Sequence, residues 1–405
     1  MIQSKAKVTI DFGNSETRVR VSIRQGGSEK PIKRIFSLSN RFAPVSEDYV
    51  PSGDYSSETS TILVMDEDDK RGIVGGSRFV NGELALKEFY DALSKPTAMD
   101  KKYTSPYTKY SLQLAMLYAH RALMSIVRAT SLESLDVTWD VVVLLPPGDM
   151  KEGTPQIEEL VRGMSELKFA YPSITLPFKV DRVGVFAEGF CSFVGAVFED
   201  DFSIRKGYED VYEDTTIVFD IGAGTSDILI VEDGSPIQKT LFTIELGGNQ
   251  VTSRVRLLAK QRLNSRVSET AIQDAMQTGF LKSGSTKVDI SDIIRQEKEA
   301  FARNIVSEVT EFFEATQYSV SSIGKALVCG GGAIDSDMPD VAERTGSMAS
   351  GIIAFMKKLS PNIQLVPLPV IEMVTFNEDG TPEKVTGTAS PRDLNLIGGS
   401  ILADL

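Results

Sequence analysis

The sequence Thr216-Ile-Val-Phe-Asp220-Ile-Gly222-Ala-Gly224-Thr225-Ser-Asp227-Ile-Leu-Ile230 decides the fold. A short apolar run leads directly into Asp220 and two glycines, and a second apolar run follows them. Apolar runs on both sides of a glycine-containing turn predict a hairpin of two buried strands. The glycines would let a phosphate approach backbone N–H groups, and Thr225 and Ser226 would add hydroxyl donors. The stretch therefore predicts either a phosphate-binding hairpin or an ordinary hairpin with polar turn residues.

The same layout occurs near the start of the chain. The strand-like run Lys7–Ile10 leads into Asp11-Phe-Gly13-Asn14-Ser15-Glu-Thr17, and the alternating run Arg18–Ile23 follows. Two copies of this pattern predict an internally duplicated protein. An aspartate at the end of a buried strand needs a partner, which a hydrated Mg²⁺ would supply. We therefore expect Asp11, like Asp220, to end a buried strand beside a glycine turn, where it could hold a hydrated cation.

Composition and charge limit the classes of function. The chain has 405 residues, of which 41% are apolar and 24% are charged, with a net charge of −13. This length predicts two domains. The acidic segment 199–214 is the predicted boundary between them, and the polar segment of about 25–105 is predicted to be an inserted subdomain. The charge argues against direct contact with nucleic acid, so any DNA would be reached through a basic adaptor. No apolar run approaches the roughly 20 residues of a membrane span, and the start lacks a signal-peptide core, so we expect a cytoplasmic protein without membrane contact.

Histidine and cysteine are too scarce for several kinds of chemistry. The two cysteines, Cys191 and Cys329, have apolar or small neighbours and are predicted to be buried, reduced thiols. The one histidine, His120, lies in the helical pattern of 107–130 and is interpreted as packing. Zinc sites and His-dependent triads are thereby excluded. Any chemistry must use carboxylates, hydroxyls, backbone amides and a hard cation.

Three further junctions carry candidate functional residues. Glu188 follows a strand-like run and precedes an apolar helix, so it either points into a crevice or is a carboxylate favoured by the helix dipole. Gly247 and Gly248 end a strand and begin a helix, where they either approach a ribose or phosphate or form a tight turn. Gly330–Gly332 end another strand and either leave room for a purine or form a turn without a ligand.

The remaining elements are predicted from periodicity and turn residues. The predicted elements are a buried strand at 137–145, a helix at 154–167, further strands of the sheet at 176–180 and 182–186, the longest helix at 293–316, and a terminal helix from Asn395 that contains Gly398 and Gly399.

Taken in order, these motifs resemble those of the actin/Hsp70/sugar-kinase ATPase superfamily, from residue 7 to about residue 400. The resemblance implies an α/β protein with the actin-like ATPase fold. Two duplicated α/β domains, each with a mixed five-stranded sheet and an inserted subdomain, would surround a central nucleotide cleft. The implied domains are 1–205 and 206–405, with the second insertion at about 250–320 and a terminal helix, about 392–405, packing back toward the first domain.

The resemblance also implies roles for individual residues. Glu188 would position or deprotonate the attacking water, and Asp11 and Asp220 would hold Mg²⁺ through water. Ala223 stands where eukaryotic actin has an aspartate, so no metal contact is assigned to it. The implied nucleotide-contacting residues are Gly13, Asn14, Ser15, Thr17, Gly222, Ala223, Gly224, Thr225, Gly247, Gly248, Gly330, Gly331 and Gly332.

Within the superfamily, the chain looks most like the ParM and Alp group of plasmid-segregation proteins. This resemblance implies a Mg²⁺-dependent ATPase that forms filaments with ATP, depolymerises as ADP is formed, and moves plasmid DNA through an adaptor protein. ATP and GTP are left open. Two alternatives are a sugar-type kinase, with Asp149 or Asp181 as its general base, and an FtsA-like interaction protein that does not hydrolyse nucleotide. The expected amphipathic C-terminal anchor of the latter has no counterpart in Ile401–Leu405.

Overall fold

The computed structural model describes residues 2–13, 16–23, 31–39, 42–46, 48–51, 60–64, 78–82, 84–85, 108–127, 129, 131–171, 173–283, 286–333, 345–376 and 382–405. Asn14, Ser15 and most of the predicted insertion at 25–105 lie outside these ranges. Within the described ranges, every helix is too short or too polar to cross a bilayer.

Strands occur in both halves of the chain. Those of the first half are β1 (Ile2–Phe12), β2 (Glu16–Ile23), β3 (Ile32–Ser39), β4 (Phe42–Val45), β5 (Ser60–Val64), β6 (Arg78–Gly82), β7 (Leu135–Leu145), β8 (Glu166–Tyr171), β9 (Ser173–Pro177) and β10 (Lys179–Ala187). Those of the second half are β11 (Thr216–Ile221), β12 (Ser226–Glu232), β13 (Ser235–Pro236), β14 (Phe242–Ile244), β15 (Phe280–Ser283), β16 (Thr286–Asp289), β17 (Lys325–Cys329), β18 (Gln364–Leu365), β19 (Val370–Phe376) and β20 (Pro382–Thr388).

The α-helices cover the sheets and connect them. They are α1 (Thr108–Val127), α2 (Met150–Arg162), α3 (Phe190–Val197), α4 (Glu209–Glu213), α5 (Gly248–Leu263), α6 (Glu269–Thr278), α7 (Ser291–Ala315), α8 (Met348–Met356) and α9 (Leu394–Leu402). The prediction of a long helix near 293–316 is confirmed by α7.

The two halves contain central sheets of the same design, which confirms the predicted duplication. The first has the strand order β10-β7-β1-β2-β3, and the second follows the path β18-β17-β11-β12-β13, with β14 also paired with β12. Each sheet contains an antiparallel hairpin, β1–β2 in the first and β11–β12 in the second. The first strand of each hairpin also pairs with a parallel strand: β1 pairs with β7, and β11 pairs with β17. All six residues of β11 are buried, because apolar side chains face layers on both sides of the sheet.

A smaller sheet, β4-β6-β5-β8-β9, corrects two predictions. β3 pairs with β2 in the central sheet, within the range of about 25–105 that was predicted as an insertion, and the extent of that insertion stays a prediction. The segment 176–180 was expected to lie wholly in the central sheet, but it is divided: Pro177 ends β9 of the small sheet, and Lys179 begins β10 of the central one. The predicted helix at 154–167 runs instead over Met150–Arg162, because Gly163 ends it and β8 starts at Glu166.

Helices α3 and α9 lie against one another at the junction of the two halves. The two helices come close together at Gly195 and Gly398, where a Cβ on Gly398 would stand against the Cys191 carbonyl group, 2.7 Å from its carbon. Helix α9 also contacts β1 and β7 of the first sheet. The domain limits given above stay a prediction.

Candidate functional site

The two hairpins have turns of equal length and a matching glycine contact. Phe12 pairs with Thr17 and Ile221 pairs with Ser226, so the turns 13–16 and 222–225 have equal length. A Cβ on Gly13 would lie 2.6 Å from the Glu16 carbonyl oxygen, and one on Gly222 would lie 2.9 Å from the Thr225 carbonyl oxygen. Both turns therefore require glycine at this position, two residues after the aspartate in each case.

Both turns open into one cleft of about 590 Å³. The predicted residues that line it are Asp11, Gly13, Glu188, Asp220, Gly222, Ala223, Thr225, Gly248, Gly330, Gly331 and Gly332. The structure thus brings together residues that are up to 321 positions apart in the sequence, and both halves contribute to the walls.

Three predicted residues do not line the cleft. Thr17 is 1% exposed, in the hairpin behind the first turn. Gly224 lies in the second turn but is not part of the cleft wall. Gly247 packs against that turn, since a Cβ there would lie 2.6 Å from the Ala223 carbonyl oxygen. The need for glycine at Gly247 thus comes from backbone packing.

The first amides of α5 hold the second turn in place. The Gly248 N–H donates to the Gly222 carbonyl at 3.0 Å, and the Asn249 N–H donates to the Ala223 carbonyl at 2.8 Å. Both amide hydrogens are thus used within the protein. This arrangement agrees with the alternative in which Gly247 and Gly248 form a tight turn. Gly248 still contributes to the cleft wall.

Glu188 is placed by a sharp change of chain direction between β10 and α3. Its backbone N–H donates to the Leu145 carbonyl at 2.8 Å, and Gly189 follows with a φ of 73°, a conformation that favours glycine. Glu188 is 9% exposed and lines the cleft. Burial raises the pKa of the adjacent Cys191 thiol, and the negative charges of Glu188, Asp11 and Asp220 raise it further. All three carboxylate residues line the same cleft.

Asp220 is held by groups that its local sequence does not predict. It is 5% exposed, and its Oδ2 accepts hydrogen bonds from Asn395 Nδ2 at 2.6 Å and from the Gly189 N–H at 3.2 Å. Asn395 lies on α9, 175 residues away in sequence. The terminal helix was predicted, but nothing in its periodicity indicated that one of its side chains reaches the hairpin.

Basic side chains also enter the cleft, and sequence reasoning missed them. Arg18 forms an ion pair with Asp393, while its Nε and Nη1 atoms have no hydrogen-bond partner among the described residues. Arg392 pairs with Glu16 at 3.2 Å, and Lys298 also lines the cleft. The sequence pattern predicts Arg18 only as part of a strand. Its position just after the first glycine turn was the feature that could have indicated a place in the cleft. Guanidinium groups at this place suit phosphate oxygens.

The carboxylates suit a hydrated cation better than one that they ligate directly. Carboxylate oxygens are the ligands that Mg²⁺ prefers, but Mg²⁺ usually keeps several of its waters. Among the described residues, no three histidine, cysteine, aspartate or glutamate side chains converge on one point as direct metal ligands. Asp11 and Asp220, which lie near the ends of β1 and β11 and both line the cleft, have the donor chemistry that suits a hydrated Mg²⁺.

Comparison with known proteins agrees with this architecture. Residues 218–338 match the family model of the C-terminal domain of the archaeal MreB-like actin homologue. No curated protein matches the sequence.

Solved structures match over almost the whole chain. Actin-like protein Alp7A is 17% identical, with a TM-score of 0.66 over 99% of this chain and 96% of that one. A subunit of a 15-stranded ParM filament from Clostridium botulinum is 14% identical, with a TM-score of 0.61 over 99% of each chain. An archaeal actin homologue in complex with ADP is 13% identical, with a TM-score of 0.61 over 98% of each chain. The predicted resemblance is thus confirmed at the level of structure: the chain has the actin-like α/β fold and is similar to ParM, Alp7A and archaeal actin homologues.

Proposed function

We propose that this chain is a Mg²⁺-dependent ATPase that binds ATP and ADP in the cleft between its two halves. The observation that carries the proposal is the pair of matched turns, which bring Asp11 and Asp220 into one cleft together with Glu188. Nucleotide-bound relatives of the same fold support it: an archaeal actin homologue was solved with ADP and Bacillus thuringiensis ParM with ATP.

The residues divide into binding and catalytic groups. Asp11 and Asp220 would hold Mg²⁺ through its waters, and the ion would neutralise charge on the phosphates. The glycine turns would admit phosphate oxygens close to the backbone, and Arg18, which lines the same cleft, would offer its guanidinium to them. Gly330–Gly332 line the cleft beside Asp220 and leave room for the nucleoside.

Glu188 is the proposed catalytic residue. Its carboxylate lies in the cleft wall at the start of α3, where it would orient the attacking water and accept its proton. Hydrolysis would then proceed by direct attack of water, without a covalent intermediate on the protein.

We further propose that ATP-bound subunits assemble head to tail into filaments that fall apart after hydrolysis, and that an adaptor protein connects them to plasmid DNA. Open heterologous contacts generate filaments. The similarity to a subunit of a ParM filament supports self-assembly. The net charge of −13 supports an adaptor in place of direct DNA contact.

One experiment tests hydrolysis and assembly together. Light scattering and phosphate release are followed after ATP, ADP or no nucleotide is added to the wild type, Glu188→Ala, and the matched control Glu159→Ala, whose side chain is exposed on α2. We expect ATP-dependent scattering that decays as phosphate is released. Glu188→Ala should bind ATP normally and release phosphate about 100-fold more slowly or worse, within the usual range for loss of a general base. Undiminished hydrolysis by Glu188→Ala would refute its role, and flat scattering with full ATPase activity would refute the filament.

The sugar-kinase alternative has less support. A kinase would need a general-base aspartate beside its acceptor, and neither Asp149 nor Asp181 lines the cleft. Asp181 is instead half-exposed and pairs with Lys5 at 2.6 Å.

A further inference from the structure

Asn395 makes a set of hydrogen bonds that joins three segments of the chain. Its Nδ2 donates to Asp220 Oδ2 at 2.6 Å, and its Oδ1 accepts from the Ser192 hydroxyl at 2.8 Å and the Gly189 N–H at 3.1 Å. These partners fix which end of the amide faces which group. A carboxylate can only accept and a backbone N–H can only donate, so the Asn395 nitrogen must face Asp220 and its oxygen must face Gly189.

The same groups converge on the Asp220 carboxylate. Its Oδ2 also accepts from the Gly189 N–H at 3.2 Å, while the Ser192 hydroxyl is 3.5 Å away. Ser192 has a single proton, which the shorter distance assigns to Asn395 Oδ1. Ser192 therefore holds Asn395, and Asn395 in turn holds Asp220.

Packing alone does not account for an asparagine at this position. Asn395 is 5% exposed, and its neighbours on α9, Leu394, Leu396 and Ile397, are buried apolar residues. A buried amide destabilises the protein unless it is hydrogen-bonded, so an apolar residue would satisfy packing with no such requirement. The polar side chain is explained by what it contacts.

We propose that Asn395 is a positioning residue that fixes the Asp220 carboxylate for metal-dependent nucleotide binding. This inference rests on the proposed function. A donor that bonds a metal-binding carboxylate sets its orientation. Because Asn395 lies on α9 and Ser192 and Gly189 lie at the start of α3, the orientation of Asp220 depends on the relative placement of these two helices.

The test compares nucleotide affinity with and without the metal. Binding of a fluorescent ATP analogue is measured in Mg²⁺ and in EDTA for the wild type, Asn395→Leu, Asn395→Ala and Ser192→Ala, with thermal melts of each protein without ligand. Asn304→Ala is the matched control, because Asn304 is exposed on α7 and outside the cleft. Both Asn395 variants should lose about 10-fold or more of the affinity measured in Mg²⁺, in the range found for groups that orient metal ligands. They should keep the affinity measured in EDTA within roughly twofold, and Ser192→Ala should show a smaller loss of the same kind.

Different outcomes refute different statements. If the wild type binds the analogue with Mg²⁺ and the Asn395 variants keep the full effect of Mg²⁺, the positioning role is wrong and the proposed function stands. An equal loss in Mg²⁺ and EDTA, together with a lowered melting temperature, would indicate a purely structural role and would also overturn the inference. A wild type with no Mg²⁺-dependent binding would refute the proposed function itself.

Discussion

Replacing Gly398 with alanine should destabilise the protein at the contact between α3 and α9. The added Cβ would stand 2.7 Å from the Cys191 carbonyl carbon and 2.7 Å from the Gly195 nitrogen. Both are backbone atoms, and Cys191 and Gly195 lie within α3, so neither can rotate away as the end of a side chain can. The two helices would have to separate.

The size of the effect follows from these distances. Ordinary contact begins at 3.4 Å, and the Cys191 carbonyl oxygen lies closer to the added Cβ than either of these atoms, so the helices must move apart by more than 0.7 Å. A gap of about 0.5–1 Å already forfeits about a quarter to a half of the dispersion energy of the contacts that it opens. Overpacking costs about 1–3 kcal/mol, and we expect the upper end because backbone must move. Alanine regains about 1 kcal/mol in helix propensity, which leaves a net loss of about 2 kcal/mol. The melting temperature should fall by roughly 4–8 °C for a domain of this size.

Thermal and urea denaturation of matched glycine-to-alanine variants would measure this loss. Gly387 in β20 is the control, because a Cβ there meets no atom within 4 Å. At Gly399 the nearest atom, 2.7 Å away, is the end of the Leu144 side chain, so Gly399→Ala should have an intermediate effect. If Gly398→Ala were as stable as Gly387→Ala, the close helix contact would not constrain the fold and the reasoning would be refuted.

Three further predictions concern pH, phosphate binding and thiol access. Burial lowers the pKa of His120 from 6.5 to about 4, so the unfolded chain takes up a proton at a higher pH than the folded protein does. The contribution of neutral His120 to the free energy of unfolding is therefore complete above pH 6.5 and is lost as the pH falls from 6.5 to 4. This loss of stability amounts to roughly 3 kcal/mol, and the His120→Gln variant should not show it. Urea titrations at pH 4 and pH 7, followed by the fluorescence of Trp139, the only tryptophan, would measure the difference. Arg18→Ala should weaken ATP binding by about 10-fold or more and should change adenosine binding little, because the guanidinium lies where the phosphates would bind. Calorimetry would measure both affinities, and equal losses for the two ligands would contradict this placement. Cys191 and Cys329 are buried with raised pKa values, so a thiol reagent should label neither until the protein unfolds, and rapid labelling of the native protein would contradict their burial.

The two hairpins were predictable because their determinants are local. A strand, an aspartate, a glycine turn and a second strand are contiguous in the sequence, and backbone geometry then fixes the register of the pair. The equal turns at 13–16 and 222–225 follow from that repeated pattern. The positions of Asp11 and Asp220 could therefore be read from the chain before any tertiary contact was known.

Contacts between distant segments were not predictable in the same way. Asn395 lies on a helix whose apolar pattern specifies burial but not which polar group a buried amide will meet. The small sheet was missed for a related reason: β8 and β5 are far apart in sequence, and apolar alternation indicates a strand without naming its partner. The placement of β9 outside the central sheet was missed because β9 and β10 form one nearly continuous run in the sequence.

The two central sheets have similar backbones but different side chains at the cleft, so the two sides of the cleft differ in charge. The residue paired across the hairpin from Asp11 is Arg18, whereas the residue paired with Asp220 is Asp227. Arg18 faces the cleft, while Asp227 is buried and accepts a hydrogen bond from Thr243 at 2.6 Å. The first hairpin thus supplies a cation to the cleft, and the second supplies an aspartate held by the terminal helix. Under the proposed function this difference suits the ligand, because a nucleotide has a phosphate end and a base end and is not bound symmetrically.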